Sequence, residues 1–109
     1  SFFKKNNLPV ETPHVNKFAK NVYQTYAINV DPTKRNKLII FLRKKGVEAS
    51  VHFTPVLHEQ KYYKDNFPPR KKLLNASRLS ESLVSLPMHA SITIKEIDFV
   101  CKCVQSYFK

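Results

Sequence analysis

A single glycine, Gly46, occurs in 109 residues, and it closes off whole classes of binding loop before any secondary structure is considered. The dinucleotide loop G-x-G-x-x-G, the P-loop and the G-x-S-x-G nucleophile elbow each need at least two glycines, where backbone turns through positive φ or passes close to a phosphate. Other site-building residues are sparse too. His14, His52, His58 and His89 are far apart except for the pair at 52 and 58, and no cysteine or carboxylate neighbour completes a metal-ligand spacing. Cys101 and Cys103 lie on opposite sides of an expected helix, so they neither bridge each other within it nor chelate on one face. Both are expected as free thiols, which suits a reducing compartment.

What remains has the length of one domain, enough for a single core but hardly for a core, a cofactor cleft and a substrate site together. Hydrophobic residues at 42%, with eight Phe and five Tyr, place the chain among globular proteins. No apolar run reaches the roughly 20 residues of a membrane helix, and no signal-peptide series opens the chain. A soluble, cytoplasmic protein with no membrane partner is expected. The opening Ser1-Phe2-Phe3-Lys4-Lys5-Asn6-Asn7 reads like the tail of an element begun upstream, so the chain is expected to be a fragment.

Nineteen Lys plus Arg against eight Asp plus Glu give a formal charge of +11, whose long-range field favours anionic partners. The basic residues are scattered, with small clusters at Lys4-Lys5, Arg43-Lys44-Lys45 and Arg70-Lys71-Lys72, as on a solvated lysine-rich surface. The alternative is a small basic α+β nucleic-acid-binding module that uses Tyr62 and Tyr63 for stacking and the clusters for phosphates. It lacks its motifs, because neither a glycine-containing RNA-recognition strand nor a GXXG loop can be written with one glycine.

Val22 to Val30 is β-branched and aromatic, with Val22, Tyr26, Ile28 and Val30 on one face, and predicts a first strand; Tyr23 and Tyr26 then point to opposite faces. Asp31-Pro32-Thr33 starts a helix that runs to about Lys45 on an apolar face of Leu38, Ile39, Phe41 and Leu42, and Gly46 caps it. Val47, Ala49, Val51 and Phe53 alternate with Glu48, Ser50, His52 and Thr54, a half-buried strand ended by Pro55 with His52 on its polar face. His58 to Lys64 is a short helix or turn, and a helix from about Lys71 carries Leu73, Ala76 and Leu83 inward. Val84 to Pro87 predicts a third strand. The last helix opens on a Thr93-Ile94-Lys95-Glu96 capping box, with Ile94, Ile97, Val100, Cys101, Val104 and Phe108 facing in. The expected fold is α+β: a small two-layer domain of about three strands with helices packed on the sheet.

The stretch from His52 to Tyr63 sets two imidazoles and two phenols around a proline-stiffened strand exit, where imidazole can bond a phosphate or sugar hydroxyl and aromatic rings can cover a sugar or base. Surface histidines beside core aromatics would account for the same residues. The order of short motifs along the chain decides between them. Val22-Tyr23-Gln24-Thr25-Tyr26-Ala27-Ile28 is followed by Arg35 with Leu38, by Gly46-Val47 and by His52-Phe53-Thr54-Pro55 with His58 and Gln60. Ser85-Leu86-Pro87-Met88-His89 and Thr93-Ile94-Lys95-Glu96-Ile97 complete the series. Over about residues 8 to 108 the chain resembles the C-terminal small domain of the DegT/DnrJ/EryC1/StrS sugar aminotransferases.

That resemblance implies a fold-type I enzyme whose pyridoxal phosphate is a Schiff base on a lysine of a larger N-terminal domain, and a parent that is a homodimer. It implies transfer of an amino group, usually from glutamate, to a keto sugar attached to a nucleotide. Carried over by position, His52 and Phe53 are the candidate substrate contacts, with His58 beside them. Phe53 stands where relatives have Tyr, so it lacks that hydroxyl. No residue of this chain is expected to be catalytic, to bind the cofactor or to bind metal. The Ser85-Leu86-Pro87 segment is expected to seat the third strand under the last helix.

Overall fold

A computed structural model describes residues Ser1–Lys109. Helices pack on a small antiparallel sheet of β1 (Tyr26–Asn29) and β2 (Leu83–Leu86), the two-layer α+β arrangement expected. The register sets Tyr26 opposite Leu86, Ala27 opposite Ser85, Ile28 opposite Val84 and Asn29 opposite Leu83. Ile28 and Val84 are wholly buried, so one face of the ladder carries the core while Ala27 and Ser85 share the other. Single antiparallel bridges extend the sheet at both edges, Glu11 to Asn29 and Ser50 to Ser85.

The second of these bridges is all that forms of the strand expected over 47–54. The alternation is real at its start, since Val47 and Ala49 are buried and Glu48 is exposed. The ladder does not propagate because the next positions of β2 on that edge are Pro87, which has no N–H, and Leu83, whose N–H is already bonded to the Leu79 carbonyl; the Ala49 carbonyl faces away from β2 and accepts from Arg43 Nε at 2.8 Å. Beyond Ser50 the chain leaves the sheet, the His52–Phe53 and Thr54–Pro55 peptide bonds are cis, and Phe53 is 79% exposed rather than on an inward face. The first strand is likewise shorter than expected. Asn21 Oδ1 accepts the Tyr23 N–H at 2.9 Å, Tyr23 takes φ +48°, and Val22 projects into solvent. Tyr23 and Tyr26 therefore do not diverge to opposite faces; their rings lie 5.4 Å apart.

The central helix α2 (Pro32–Lys44) begins and ends where the sequence indicates. Asp31 Oδ1 accepts the Thr33 N–H at 2.8 Å, and Pro32 occupies the first turn, where its missing N–H costs nothing. At the other end Gly46 N–H bonds the Arg43 carbonyl at 3.0 Å and Val47 N–H bonds the Leu42 carbonyl at 2.9 Å, the paired bonds of a Schellman motif. Gly46 has φ +81°, yet a Cβ there would meet nothing within 4 Å, so glycine is needed for its conformation and not for room. Leu38 and Leu42, one turn apart, are fully buried against β2, the C-terminal helix and the helix before β2.

That preceding helix, α4 (Leu74–Ser82), differs from expectation in its buried face. Of the residues expected inside, Leu73 precedes the helix and is exposed and Ala76 and Leu83 are half-buried, whereas Ser80 and Ser82 are buried. The serines are tolerated inside because each hydroxyl bonds back to its own helix, Ser80 to the Ser77 carbonyl at 2.7 Å and Ser82 to the Arg78 carbonyl at 3.1 Å. Arg35 reaches across from α2 and donates to the Ser80 carbonyl at 3.3 Å, near the open C-terminal end of α4. Between the sheet edge and α4 run a 3-10 turn at Leu57–Glu59 and the short helix α3 (Lys61–Asn66), on which Tyr62, Tyr63 and Phe67 form an exposed aromatic cluster.

The last helix, α5 (Ile94–Phe108), has both halves of its capping box. Thr93 Oγ1 accepts the Glu96 N–H at 3.2 Å and Glu96 Oε2 accepts the Thr93 N–H at 2.7 Å. Its inward face lies nearer the C-terminus than the sequence suggests: Cys103 and Val104 are buried, Val100, Cys101, Tyr107 and Phe108 pack partly, and Ile94 is 81% exposed. Both cysteines are free thiols, and burial, aided by Asp98, pushes the Cys101 thiol above its ordinary value. The short helix α1 (Phe2–Lys5) packs on α5 with Phe3 in the core, and Gln105 Nε2 donates to Asn6 Oδ1 at 2.9 Å, joining the two ends of the chain.

The capping box has a consequence for acid stability. Hydrogen bonds from the Thr93 backbone and then its side chain hold the Glu96 carboxyl below its ordinary 4.5. A carboxyl lowered by folding contributes stability that is complete above its unfolded value and lost as pH falls through its folded one. The melting-temperature advantage of the native chain over Glu96→Ala is therefore expected to be constant above about pH 5 and to shrink on acidification. Thermal scans at stepwise lower pH check this, and a gap that widens in acid would contradict it.

Candidate functional site

His52 leaves the sheet edge just after the Ser50 bridge, and its ring turns back over the polar face of β2. Its Nδ1 lies 2.9 Å from Ser85 Oγ and 3.5 Å from Ser50 Oγ. Ser85 is 3% exposed, held in the ladder between Ala27 and Ser50, so its hydroxyl is a fixed anchor for an imidazole that is otherwise in solvent. The opposite nitrogen, Nε2, has no partner in the chain and is the edge available to a ligand.

Two depressions meet at this ring. On one side is an open polar cleft walled by Gln24, Thr25, Glu48, Ser85 and His89. On the other is an apolar groove formed by Phe53, Pro55, Leu57, Ala76, Leu79 and Leu83, in which the exposed Leu79 of α4 finds its place. Phe53 lies edge-on to His52, with centroids 5.4 Å apart at 67°, and presents its ring to the groove. His52 and Phe53 are thus brought together, His52 on the wall of both depressions and Phe53 on that of the apolar groove. Tyr26, at the start of β1, lines a separate apolar pocket with Phe2, Leu86 and Cys101, and burial followed by the neighbouring Tyr23 raises its phenol above the ordinary value.

His58 occupies a different environment. Its Nε2 lies 3.2 Å from Ser77 Oγ on α4, and the Ser77 hydroxyl donates in turn to Glu59, so the imidazole fastens the 3-10 turn to α4 behind the apolar groove. Its side chain is only 17% exposed. The residues that the sequence left unmarked as site components are Ser85, Glu48, Gln24 and Thr25; Ser85 lies in the quoted Ser-Leu-Pro segment, and only its pairing on both sides reveals that its hydroxyl meets an imidazole.

A pyridoxal phosphate site requires a sheltered lysine, because a Schiff-base amine must be desolvated enough to lose its proton near neutral pH. All fifteen lysines of this chain are exposed, and none lines the cleft or the groove at His52. The residues present do not make that cofactor's site.

The family model of the DegT/DnrJ/EryC1/StrS aminotransferases matches residues 3–105. The uncharacterized protein MJ1066 of Methanocaldococcus jannaschii is 33% identical over 99 residues, 86% of this chain and 25% of that protein. The UDP-4-amino-4-deoxy-L-arabinose–oxoglutarate aminotransferase of Shewanella sediminis is 28% identical over 94 residues, 78% of this chain and 24% of that protein. The crystal structure of a DegT DnrJ EryC1 StrS aminotransferase from Brucella abortus has the same fold, with a TM-score of 0.86 at 20% identity over 98% of this chain and 28% of that one. This chain spans about a quarter of the length of the curated relatives it matches. It belongs to the DegT/DnrJ/EryC1/StrS aminotransferase family.

Proposed function

We propose that this chain is the C-terminal small domain of a pyridoxal-phosphate-dependent enzyme that transfers an amino group from glutamate to a nucleotide-linked keto sugar, in polysaccharide or amino-sugar biosynthesis. Family membership supports an aminotransferase parent. The Shewanella relative, named for a UDP-linked amino sugar and oxoglutarate, supports the sugar nucleotide and the donor. The observation that carries the reading is the pairing of a polar cleft with an apolar groove at His52 and Phe53. A sugar nucleotide has the same two-part character, a hydroxylated and anionic portion joined to a flat base.

In this reading His52 Nε2 bonds the sugar or diphosphate, the Phe53 ring covers an apolar face of the ligand, and His58 holds the groove's far wall at the third candidate position. The +11 charge assists capture of an anionic acceptor. The cofactor supplies an electron sink when bound, and it belongs to a larger N-terminal domain whose lysine carries it. The whole enzyme works as a cytoplasmic homodimer; no helix of this chain is long and apolar enough to cross a membrane.

The division of labour is testable on this chain. Incubation with pyridoxal phosphate and borohydride, followed by mass spectrometry, is expected to give sparse labelling spread over many of the exposed lysines and no transamination. Stoichiometric labelling of one lysine would overturn the assignment of the cofactor to another domain.

A further inference from the structure

The Ser85 hydroxyl has a second meaning once the His52 geometry is known, and it differs from seating a strand. Ser85 is the one residue of β2 whose backbone is paired on both sides, to Ala27 in β1 and to Ser50, with Ser50–Ser85 bonds of 2.8 and 3.1 Å. Its Cα, and hence the origin of its hydroxyl, is fixed by the sheet. The hydroxyl is buried on the face away from the core, and His52 Nδ1 is its side-chain partner. His52 itself sits outside regular structure with an exposed ring, touched within its own segment by the Phe53 ring and, at 3.5 Å, by Ser50 Oγ, so the buried Ser85 hydroxyl is its shortest and most firmly placed polar partner.

We infer that Ser85 is a positioning residue for the acceptor: its Oγ bonds His52 Nδ1 and thereby fixes how the free Nε2 edge is presented where the polar cleft meets the apolar groove. This rests on the proposed sugar-nucleotide reading of that cleft. When the hydroxyl donates to Nδ1 of the neutral ring, the ring proton must be on Nε2; when the ring is protonated, Nδ1–H donates to Oγ and Nε2 again carries a hydrogen. In these two states Nε2 is a donor, which suits a phosphate or a sugar oxygen; in the remaining one, with Nδ1–H of the neutral ring donating to Oγ, Nε2 accepts from a sugar hydroxyl. Ser50 Oγ, at 3.5 Å, is a weaker second support. Glu48 and His89 are the titratable groups that share the cleft wall with His52.

The test uses the whole enzyme, with the donor and acceptor half-reactions measured separately on UDP-linked 4-keto sugar as probe. Ser85→Ala is expected to raise the acceptor KM about three- to tenfold, the worth of one hydrogen bond, and to leave the glutamate half-reaction unchanged. In a His52→Ala background the same change should add nothing, because the hydroxyl would have no ring left to position. Ser85→Thr, which keeps the hydroxyl, should restore the KM. Equal loss in both half-reactions, or effects of Ser85→Ala and His52→Ala that multiply, would show a structural serine and overturn the inference, and so would a normal acceptor KM in Ser85→Ala where His52→Ala raises it. If His52→Ala itself leaves the acceptor step untouched, the site reading fails first and this inference falls with it.

Discussion

Leu38→Ala is expected to lower the stability of the domain by about 3 kcal/mol, within the 2–5 kcal/mol usual for a buried leucine truncated to alanine. Leu38 is 0% exposed and sits on the face of α2 that meets β2, α4 and α5, so the vacated volume is bounded by three elements that cannot all close on it. For a chain of this size that loss corresponds to a fall in melting temperature on the order of 15 °C, a large share of the 5–15 kcal/mol that holds a typical domain together. Ile40, two residues along the same helix and 56% exposed, provides the control: Ile40→Ala should move the midpoint by only a few degrees. Equal destabilisation by the two substitutions would mean that Ile40 is covered in solution and that α2 has a second buried face.

The parts of the fold legible in the sequence were those set by local chemistry. Asp31-Pro32 and Gly46 bracket α2, and Thr93 with Glu96 opens α5, because a cap or a positive φ is satisfied by neighbours within one turn. The expected strand over 47–54 failed for a long-range reason. Its apolar alternation is genuine, but strand formation also requires a ladder partner, and on either side of Ser85 the β2 donors are missing: Pro87 has none and the Leu83 N–H is held by the Leu79 carbonyl. The same limit applies to α4, where leucines were expected inside and serines are found there, since hydroxyls that bond back to their own helix carry no visible mark in the sequence.

The candidate site was legible in its residue types and not in its wiring. His52 and Phe53 do lie together at a junction of polar and apolar surface, as a proline-stiffened strand exit permits. His58, only six residues further on, instead faces Ser77 because the chain turns at Leu57–Glu59 and docks on α4. Ser85 is separated from His52 by 33 residues, and no spacing rule could pair them without the antiparallel bridge that brings Ser50 beside β2.

His52→Ala in the whole enzyme is expected to slow the acceptor half-reaction by about ten- to a hundredfold, the equivalent of roughly 1.5–3 kcal/mol for a hydrogen bond to a charged group. The glutamate half-reaction does not use the nucleotide and should change much less. Folding should survive, because the ring is exposed and not part of the core. One internal cost is foreseeable: truncation leaves the buried Ser85 hydroxyl without its side-chain partner, which bears on stability and not on which half-reaction slows. Stopped-flow measurement of each half-reaction, with a thermal scan of the same protein, separates these effects. A sharp drop in melting temperature with both half-reactions normal in the surviving folded enzyme would make the His52–Ser85 pair a structural fastening, and the sugar nucleotide would have to be bound by other residues.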